Sequence, residues 1–309
     1  METNAGQLYD ALLPLLVEME AQRVWIKRSA VRRVSITIPL LAFIGFCCDR
    51  ILQESGYTCT IFLPLFGLMF WINSVKSSSN KLNAVYKEQI IPRIVAAICE
   101  KAEYRPKEGI TEQVFCDCAL FSAPDRYASE DLITGLSGET HFSFSEVHAE
   151  EKRTSTSSKG RTTTHWVDIF RGFLFVADFN KDFRGRTVLT RDSLFHFSTR
   201  GERARLEDPD FEKRFDVFTT DQIEARYILS PSLMKRITEL DEALGGRITL
   251  SFYNSSLVVA IPDYSNHFEA SLWRTLLNKP YFERECDLIV QLVGIVDDLN
   301  LNLRIWTKR

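Results

Sequence analysis

The sequence lacks charge over two long stretches near its N-terminus. No Asp, Glu, Lys or Arg occurs at residues 34–48, and none occurs in the 21 residues 55–75. A helix rises about 1.5 Å per residue and the hydrocarbon core of a bilayer is roughly 30 Å thick, so a span needs about 20 apolar residues. The second stretch has that length, and the first reaches it when residues 30–31 and 51–52 extend it. The missing charge predicts a transmembrane hairpin over residues 34–75; a buried apolar hairpin inside a soluble core is the alternative.

Familiar catalytic motifs are also missing. The chain has no P-loop, no GxGxxG and no HExxH, and the run GLSG at 135–138 lacks the spacing of a nucleophile elbow. An ordinary hydrolase, kinase or dehydrogenase is therefore unsupported, and no cofactor is predicted. A basic excess is missing as well, because 38 Lys and Arg stand against 41 Asp and Glu. This balance argues against a nucleic-acid binder.

Cysteine is sparse, and its count of seven is odd, which does not suggest a disulfide framework. Reduced thiols are the expectation, although a bridge among Cys47, Cys48 and Cys59, near the far membrane face, is conceivable. Cys116 and Cys118 fall in a predicted strand, which would turn both thiols to one side. Their one-residue spacer is shorter than that of structural zinc sites, so buried thiols are favoured over a metal.

Basic residues flank the hairpin on both sides. Five precede the first apolar stretch and three follow the second, whereas the short connecting loop contains one, Arg50. The positive-inside rule then places both termini in the cytoplasm. The flanking residues are Arg23, Lys27, Arg28, Arg32 and Arg33 before the hairpin, and Lys76, Lys81 and Lys87 after it.

Four regions follow one another along the chain. They are an N-terminal amphipathic helix at 1–33, the hairpin at 34–75, a stalk helix at 76–106 and a cytoplasmic domain at 107–309. Pro14 and Pro92 predict a kink or break in the two flanking helices. In the last region, locally paired strands with helices behind them predict an α+β fold with a mixed antiparallel sheet and C-terminal helices. A pleckstrin-homology-like arrangement is one architecture that fits.

Alternation of apolar and polar residues predicts the strands. The predicted strands are Gln113–Phe121, Leu132–Val147, Thr163–Phe179, Arg186–Thr190, Phe215–Phe218, Arg247–Tyr253 and Leu257–Pro262. One helix is predicted at about 220–244, capped by Thr219 or Thr220 and divided by Pro231. Another is predicted at about 266–299, broken around Pro280.

Four strings occur in order in the second half of the chain: FRGFLF at 170–175, DFNK at 178–181, RLEDPDFEKRF at 205–215 and DQIEARYIL at 221–229. With these strings the chain resembles the bacterial membrane-anchored proteins of domain-of-unknown-function family 3137. The resemblance implies two N-terminal spans and a C-terminal soluble domain, hence a multi-pass protein of the bacterial inner membrane. It carries no activity, cofactor or catalytic residue. It also implies, by association only, a LemA-type or other envelope protein as partner.

An acidic cluster near residues 207–224 is the first candidate site. Its carboxylates can supply oxygen ligands for a divalent metal. Interleaved basic residues favour a structural role instead, in which paired charges pin a loop and acids near a helix start interact with its dipole. The cluster consists of Glu207, Asp208, Asp210, Asp221 and Glu224.

A polar, basic tip at residues 152–164 is the second candidate site. Each basic side chain near an anionic membrane surface adds about 1 kcal/mol of attraction, so the tip is a candidate lipid-headgroup contact. A disordered hairpin loop is the alternative. The basic residues are Lys152, Arg153, Lys159 and Arg161.

These observations predict a membrane-anchored, non-enzymatic protein whose cytoplasmic domain binds a protein partner or the membrane surface. The alternative is a divalent-metal-dependent enzyme that uses the acidic cluster at 207–224. Homo-oligomerisation through the hairpin stays open, because Gly45 and Gly67 are isolated and form no GxxxG motif.

Overall fold

The computed structural model describes residues 5–51, 58–156, 162–179, 182–191 and 201–302. The chain divides into two compact units. The first comprises residues 1–94 and 267–286, and the second comprises residues 95–266 and 287–309. The helices are α1 Ala5–Ile51, α2 Thr58–Gln89, α3 Ile91–Ile98, α4 Glu112–Asp117, α5 Pro209–Arg214, α6 Gln222–Ile228, α7 Pro231–Ala243 and α8 Lys279–Asp298.

Two long helices dominate the first unit. At Pro14 the predicted break is absent, because α1 runs without interruption through Pro14 and Pro39, and the alternative of a kink there stays a prediction. The predicted break near Pro92 is confirmed, since α2 ends at Gln89 and α3 begins at Ile91, which places Pro92 in a first turn. Proline is tolerated there because the first-turn N–H groups have no partner within the helix.

The two long helices approach each other closely at Gly45 and Gly67. A Cβ atom on Gly45 would lie 2.4 Å from the backbone oxygen of Cys59, so only glycine fits at this crossing. At Gly67 the nearest atom would be the terminal methyl of Leu41, at 2.3 Å. Both isolated glycines therefore lie at close contacts between the two helices of the hairpin.

Asp49 ties the end of α1 to the start of α2. Its carboxylate accepts hydrogen bonds from the backbone N–H groups of Cys59 and Thr60, both at 2.9 Å, and from the Thr60 hydroxyl at 2.7 Å. The first N–H groups of a helix lack intrahelical partners, and a carboxylate satisfies them well. The buried acid thus completes the N-terminus of the second helix.

The second unit contains one antiparallel sheet, which the described residues form from nine strands. Its order is β1-β2-β3-β4-β9-β8-β5-β7-β6. The strands are β1 Glu103–Arg105, β2 Arg126–Ser137, β3 Thr140–Thr156, β4 Thr162–Asp178, β5 Thr187–Thr190, β6 Glu202–Ala204, β7 Asp216–Thr219, β8 Thr249–Tyr253 and β9 Ser256–Pro262. The α+β class is confirmed, and the pleckstrin-homology-like arrangement stays a prediction.

Aromatic residues fill both faces of this sheet. Phe144, Phe173 and Phe175 are fully buried on neighbouring strands β3 and β4. Phe115 packs against Phe121, Tyr127 and Phe170 in a separate cluster. A one-residue slip would move each ring to the opposite face, where it would lose the neighbours it packs against, so these clusters fix the register of the sheet.

Gly172 allows β4 and β9 to approach in the centre of the sheet. Its φ of +149° is strained for other residues, and a Cβ atom there would lie 2.1 Å from the backbone oxygen of Ile261. The glycine in the string FRGFLF is therefore a backbone requirement.

Two predicted strands need correction. Residues 113–121 do not form a strand: α4 occupies most of them, because the Thr111 side chain caps its start by accepting from the Val114 N–H. The prediction of one strand over residues 132–147 is also wrong, since Gly138, with φ of +60°, turns the chain between β2 and β3. The short strands β1 and β6 were missed because three residues show no alternation.

The helices α6, α7 and α8 begin at or next to acidic or proline residues, in part where the sequence predicted. The division of residues 220–244 at Pro231 is confirmed by α6 and α7, although Asp221, and neither Thr219 nor Thr220, caps α6. The last helix begins at Lys279 and not at residue 266. Pro280 does not break it, because it lies in the first turn, where Asn278 accepts from the Tyr281 N–H.

Candidate functional site

The apolar face of the first unit is its most distinctive surface. Along α2, Phe62, Phe66 and Phe70 follow one another at four-residue spacing and are 67%, 75% and 70% exposed. Only 11% of the most apolar stretch of α1, and 0% of that in residues 59–98, is buried. Both helices are long and apolar enough to cross a membrane by length and composition. A core helix of a soluble protein would instead bury such residues.

A histidine and two carboxylates meet on the sheet of the second unit. His148 and Glu150 lie on β3 and Asp168 lies on β4, and one ligand atom from each falls within 4.8 Å of the others. The His148 Nε2 and an Asp168 oxygen are 2.8 Å apart, and both side chains are partly exposed. Nitrogen and oxygen ligands of this kind suit zinc and related divalent ions.

The register of β3 and β4 creates this group. Glu150 pairs with Asp168, whereas His148 pairs with Arg171, because a bulge follows Ala149. A bulge adds a residue on one strand and so changes which side chains meet. Arg126, which stacks on the Trp166 ring at 3.5 Å, lies 3.9 Å from Glu150 and supplies a counter-charge at the outer side of the group.

A cleft of about 260 Å³ adjoins the histidine. Three acidic residues, Glu130, Glu146 and Asp263, and one arginine, Arg171, are among the residues that line it. Arg171 donates a 2.5 Å hydrogen bond to the side-chain oxygen of Asn266, which also lines the cleft. The charge of the cleft favours a cationic ligand over an anionic one.

The five acids of the predicted cluster are distributed over separate local contacts. Asp208 caps α5, and Asp221 caps α6. Glu224 accepts from the backbone N–H groups of Arg184 and Gly185, at 3.2 and 2.8 Å. Asp210 pairs with Lys213 at 2.7 Å, which lowers the pKa of its carboxyl, and Glu207 is exposed. Within the described ranges, none of the five belongs to a group of three ligands close enough for one metal ion.

The basic tip is only partly described. Lys152 and Arg153 lie on the exposed end of β3, where the Lys152 N–H donates to Asp125 at 2.7 Å and Arg153 pairs with Glu151. Lys159 and Arg161 lie outside the described residues. The lipid-headgroup contact stays a prediction.

The thiols of Cys116 and Cys118 do not share one side of a strand. Both residues lie at the end of α4, where Cys118 is buried and its Sγ donates to the Phe115 carbonyl at 2.9 Å. Burial, with help from Glu112 and Asp117, raises the pKa of the Cys116 thiol. A raised pKa disfavours the thiolate that metals and electrophiles require. All seven cysteines lie in the described ranges, and none of them, including Cys47, Cys48 and Cys59, forms a disulfide there.

Sequence reasoning missed the histidine–carboxylate group. The available signal was the i, i+2 spacing of His148 and Glu150, which places both side chains on one face of a regular strand. Asp168 carries no such signal, because its position opposite them depends on the register of two strands.

The second half of the chain matches one known protein family. The family DUF3137, described as proteins of unknown function, matches residues 168–301. The match supports membership of that family. It confirms the resemblance seen in the sequence, and DUF3137 carries no assigned activity that the cleft could be compared with.

One solved structure is similar to the chain at low identity. It is the crystal structure of the mycobacterial trehalose monomycolate transport factor A, with 7% identity, a TM-score of 0.35, and coverage of 67% of this chain and 96% of that one. At that TM-score the likeness carries no functional conclusion. No curated protein matches the chain.

Proposed function

We propose that this protein is a membrane-anchored, non-enzymatic binding protein of the bacterial inner membrane. In this proposal α1 and α2 of the first unit (the helical unit) cross the bilayer as two spans. The second unit (the sheet unit) binds a protein partner or the membrane surface from the cytoplasmic side. The exposed apolar face of the two long helices is the observation that carries it.

The free energy gained when these exposed side chains leave water supports anchoring in a membrane. Moving one large apolar side chain out of water is worth roughly 1.5–3 kcal/mol. The exposed side chains on the two stretches sum to tens of kcal/mol on the same scale, far more than a stable fold can forgo in water. They are Ile36, Leu40, Phe43, Ile44, Phe46, Ile51, Ile61, Phe62, Leu65, Phe66, Leu68, Met69, Phe70 and Ile72.

Hydrogen bonding at the turn end of the hairpin agrees with a lipid environment. Unsatisfied backbone groups are costly near hydrocarbon, where water does not compensate them. Asp49 satisfies the first N–H groups of α2, so the helix begins without such a penalty. The basic flanks before residue 34 and after residue 75 favour cytoplasmic termini.

Site-directed labelling tests both anchoring and orientation. In a cysteine-free background, Glu54→Cys lies between α1 and α2, and Ser155→Cys lies on the exposed end of β3. An impermeant maleimide added to intact cells should label the Glu54→Cys variant and leave the Ser155→Cys variant unlabelled until the membrane is opened. Full-length protein that stays in the supernatant after ultracentrifugation without detergent would contradict anchoring, and the reverse labelling pattern would contradict the orientation.

A LemA-type or other envelope protein is the proposed partner class, on the association that accompanies the family resemblance. Crosslinking in native membranes, followed by purification of the full chain, should recover such a protein in stoichiometric amount. Recovery of a second copy of this chain alone would favour homo-oligomerisation instead.

A second candidate function is divalent-cation binding in the sheet unit. The meeting of His148, Glu150 and Asp168 within 4.8 Å favours it at this position and not at the acidic cluster. Calorimetric titration of the purified full chain with Zn²⁺ should then show binding that His148→Ala abolishes and Asp208→Asn preserves. Binding lost in the Asp208→Asn variant alone would restore the acidic cluster as the metal site.

A further inference from the structure

We propose that Trp25 on α1 and Trp273, in the segment between β9 and α8, together contact the headgroup layer of the bilayer. This contact would add a membrane attachment remote in sequence from the two spans. The inference rests on the proposed function, because it needs α1 to enter the membrane.

Both indole side chains are exposed on the first unit. Trp25 is 65% exposed and Trp273 is 71% exposed, which is unusual for the largest apolar side chain. The Lys27 ammonium lies 5.3 Å from the centre of the Trp273 ring, so the remote segment lies against the same stretch of α1 that carries Trp25. Tryptophan beside lysine is the side-chain combination typical of membrane–water interfaces.

The segment that carries Trp273 is firmly held against the helices of its own unit. The Arg23 guanidinium donates to the Leu272 carbonyl at 2.5 Å, and the Leu276 N–H donates to Glu20 at 3.0 Å. On the other side, the Ala270 N–H donates to the Asn83 side chain at 3.0 Å. Trp273 is therefore presented at a defined height along α1.

That height matches the headgroup layer. The uncharged run of α1 begins at residue 34 but is too short to span alone, and a span of about 30 Å that ends near Asp49 begins near Ala30. Trp25 then lies about 7 Å below the hydrocarbon edge, since each residue adds about 1.5 Å. The headgroup region extends roughly 5–8 Å beyond the hydrocarbon on each side.

The charge and shape of this surface favour lipid as its occupant. Lys27 and Arg28 are basic, whereas Glu20, the nearby acid, is already paired with Arg23 at 2.8 Å. A groove of about 470 Å³ adjoins Trp25, and its lining is mainly apolar, with Val24 and Leu277 among its residues. Apolar rings and a basic rim match the boundary between acyl chains and anionic headgroups.

Depth-dependent quenching of single-tryptophan variants tests the proposal in the reconstituted full chain. The chain contains five tryptophans; four are replaced by phenylalanine to leave only Trp25, only Trp273 or, as control, only Trp166, which lies on β4 in the other unit. All three variants also carry Lys152→Gln, Arg153→Gln, Lys159→Gln and Arg161→Gln, so that the basic tip next to Trp166 does not bring this control to the membrane. The vesicles combine phosphatidylcholine and phosphatidylglycerol with a lipid that carries a nitroxide at the headgroup or near the chain end.

Headgroup nitroxide should quench Trp25 and Trp273 at least about twofold more than Trp166, and more than chain-end nitroxide does, as expected of side chains at the interface. Lys27→Gln should reduce the quenching of Trp273 and leave that of Trp166 unchanged. If the chain floats with the vesicles but Trp273 is quenched no more than Trp166, the inference fails while anchoring stands, and a protein ligand becomes the occupant of this surface. If the chain does not float with the vesicles, anchoring fails and the inference fails with it.

Discussion

The two units use the same residue type in opposite ways. Phe62, Phe66 and Phe70 project from α2 into the surroundings, whereas Phe144 and Phe173 are buried between the strands and their covering elements. In the sheet unit the hydrophobic effect acts within the chain, since ring contacts replace contacts with water. In the helical unit, which is the first unit, the described residues leave most of the surface of Phe62, Phe66 and Phe70 exposed. The comparison teaches that apolar content alone does not describe a core; where the apolar atoms find their neighbours decides which solvent a unit requires.

The largest expected effect is the difference in unfolding free energy between truncating a phenylalanine in the sheet unit and truncating one in the helical unit. Phe144→Ala should lower the free energy of unfolding of the sheet unit by about 3–5 kcal/mol, because it leaves a cavity in a packed core. Phe66→Ala should change the unfolding free energy by less than about 0.5 kcal/mol, since three quarters of this side chain is exposed. Denaturation of the full chain in detergent measures both, when circular dichroism follows the strands for Phe144→Ala and the helices for Phe66→Ala. Equal losses would mean that α2 is packed like the sheet.

A smaller effect separates the two glycines of the hairpin. Gly45→Ala should destabilise the helical unit by about 1–3 kcal/mol, because the new methyl meets the backbone of Cys59 and one helix has to move. Gly67→Ala should cost less, since the obstructing atom is the end of the flexible Leu41 side chain. Thermal unfolding in detergent distinguishes them. A larger loss for Gly67→Ala would contradict the helix crossing described here.

Helix capping in the sheet unit should have an effect of about 1 kcal/mol. Asp208→Ala removes the acceptor for the N–H groups of Asp210 and Phe211, each 3.0 Å away, and so weakens α5. Asp208→Asn retains an acceptor and should be almost neutral. Chemical denaturation compares the pair. If Asp208→Asn destabilised the chain as much as Asp208→Ala, the carboxylate charge, and not the cap, would be the important feature.

The smallest expected effect is a pH dependence in the helical unit. Burial alone would raise the pKa of Glu285, but hydrogen bonds from His267 and from the Phe268 N–H outweigh it and lower the pKa below its usual 4.5. A folded-state pKa below the unfolded one stabilises the fold above about pH 4.5, and this stabilisation is lost as pH falls through the folded value. Glu285→Gln should therefore flatten the acid limb of thermal stability between about pH 6 and pH 3. If the loss of thermal stability at acid pH were the same in Glu285→Gln, other carboxyl groups would be responsible for it.

Helices with a strong local signal were predictable from the sequence. The division between α6 and α7 followed from Pro231, and the interruption after Gln89 followed from Pro92. Residues 113–121 misled because Val114, Phe115 and Cys116 favour strands, whereas the Thr111 cap and burial of Phe115 stabilise a helix. Tertiary packing commonly overrides weak propensities over so short a stretch.

The two candidate metal sites also differ in whether a local sequence signal or tertiary structure identifies them. The acids at 207–224 stood out because they are dense in sequence, yet Asp208 and Asp221 each serve a different helix end. His148 and Asp168 are twenty residues apart and meet only through the register of β3 and β4. Composition within one segment does not encode such a meeting.

The sequence by itself determined the two apolar helices, because the absence of charge over a membrane-length run is a one-dimensional property that needs no partner to be recognised. It also determined most strands of the sheet, through alternation along single segments. Only the tertiary structure decided which side chains meet: that Asp49 caps α2, that a bulge brings Glu150 opposite Asp168, and that Lys27 lies beside Trp273. These meetings depend on chain crossings and strand register, whose energies come from contacts between residues far apart in the chain.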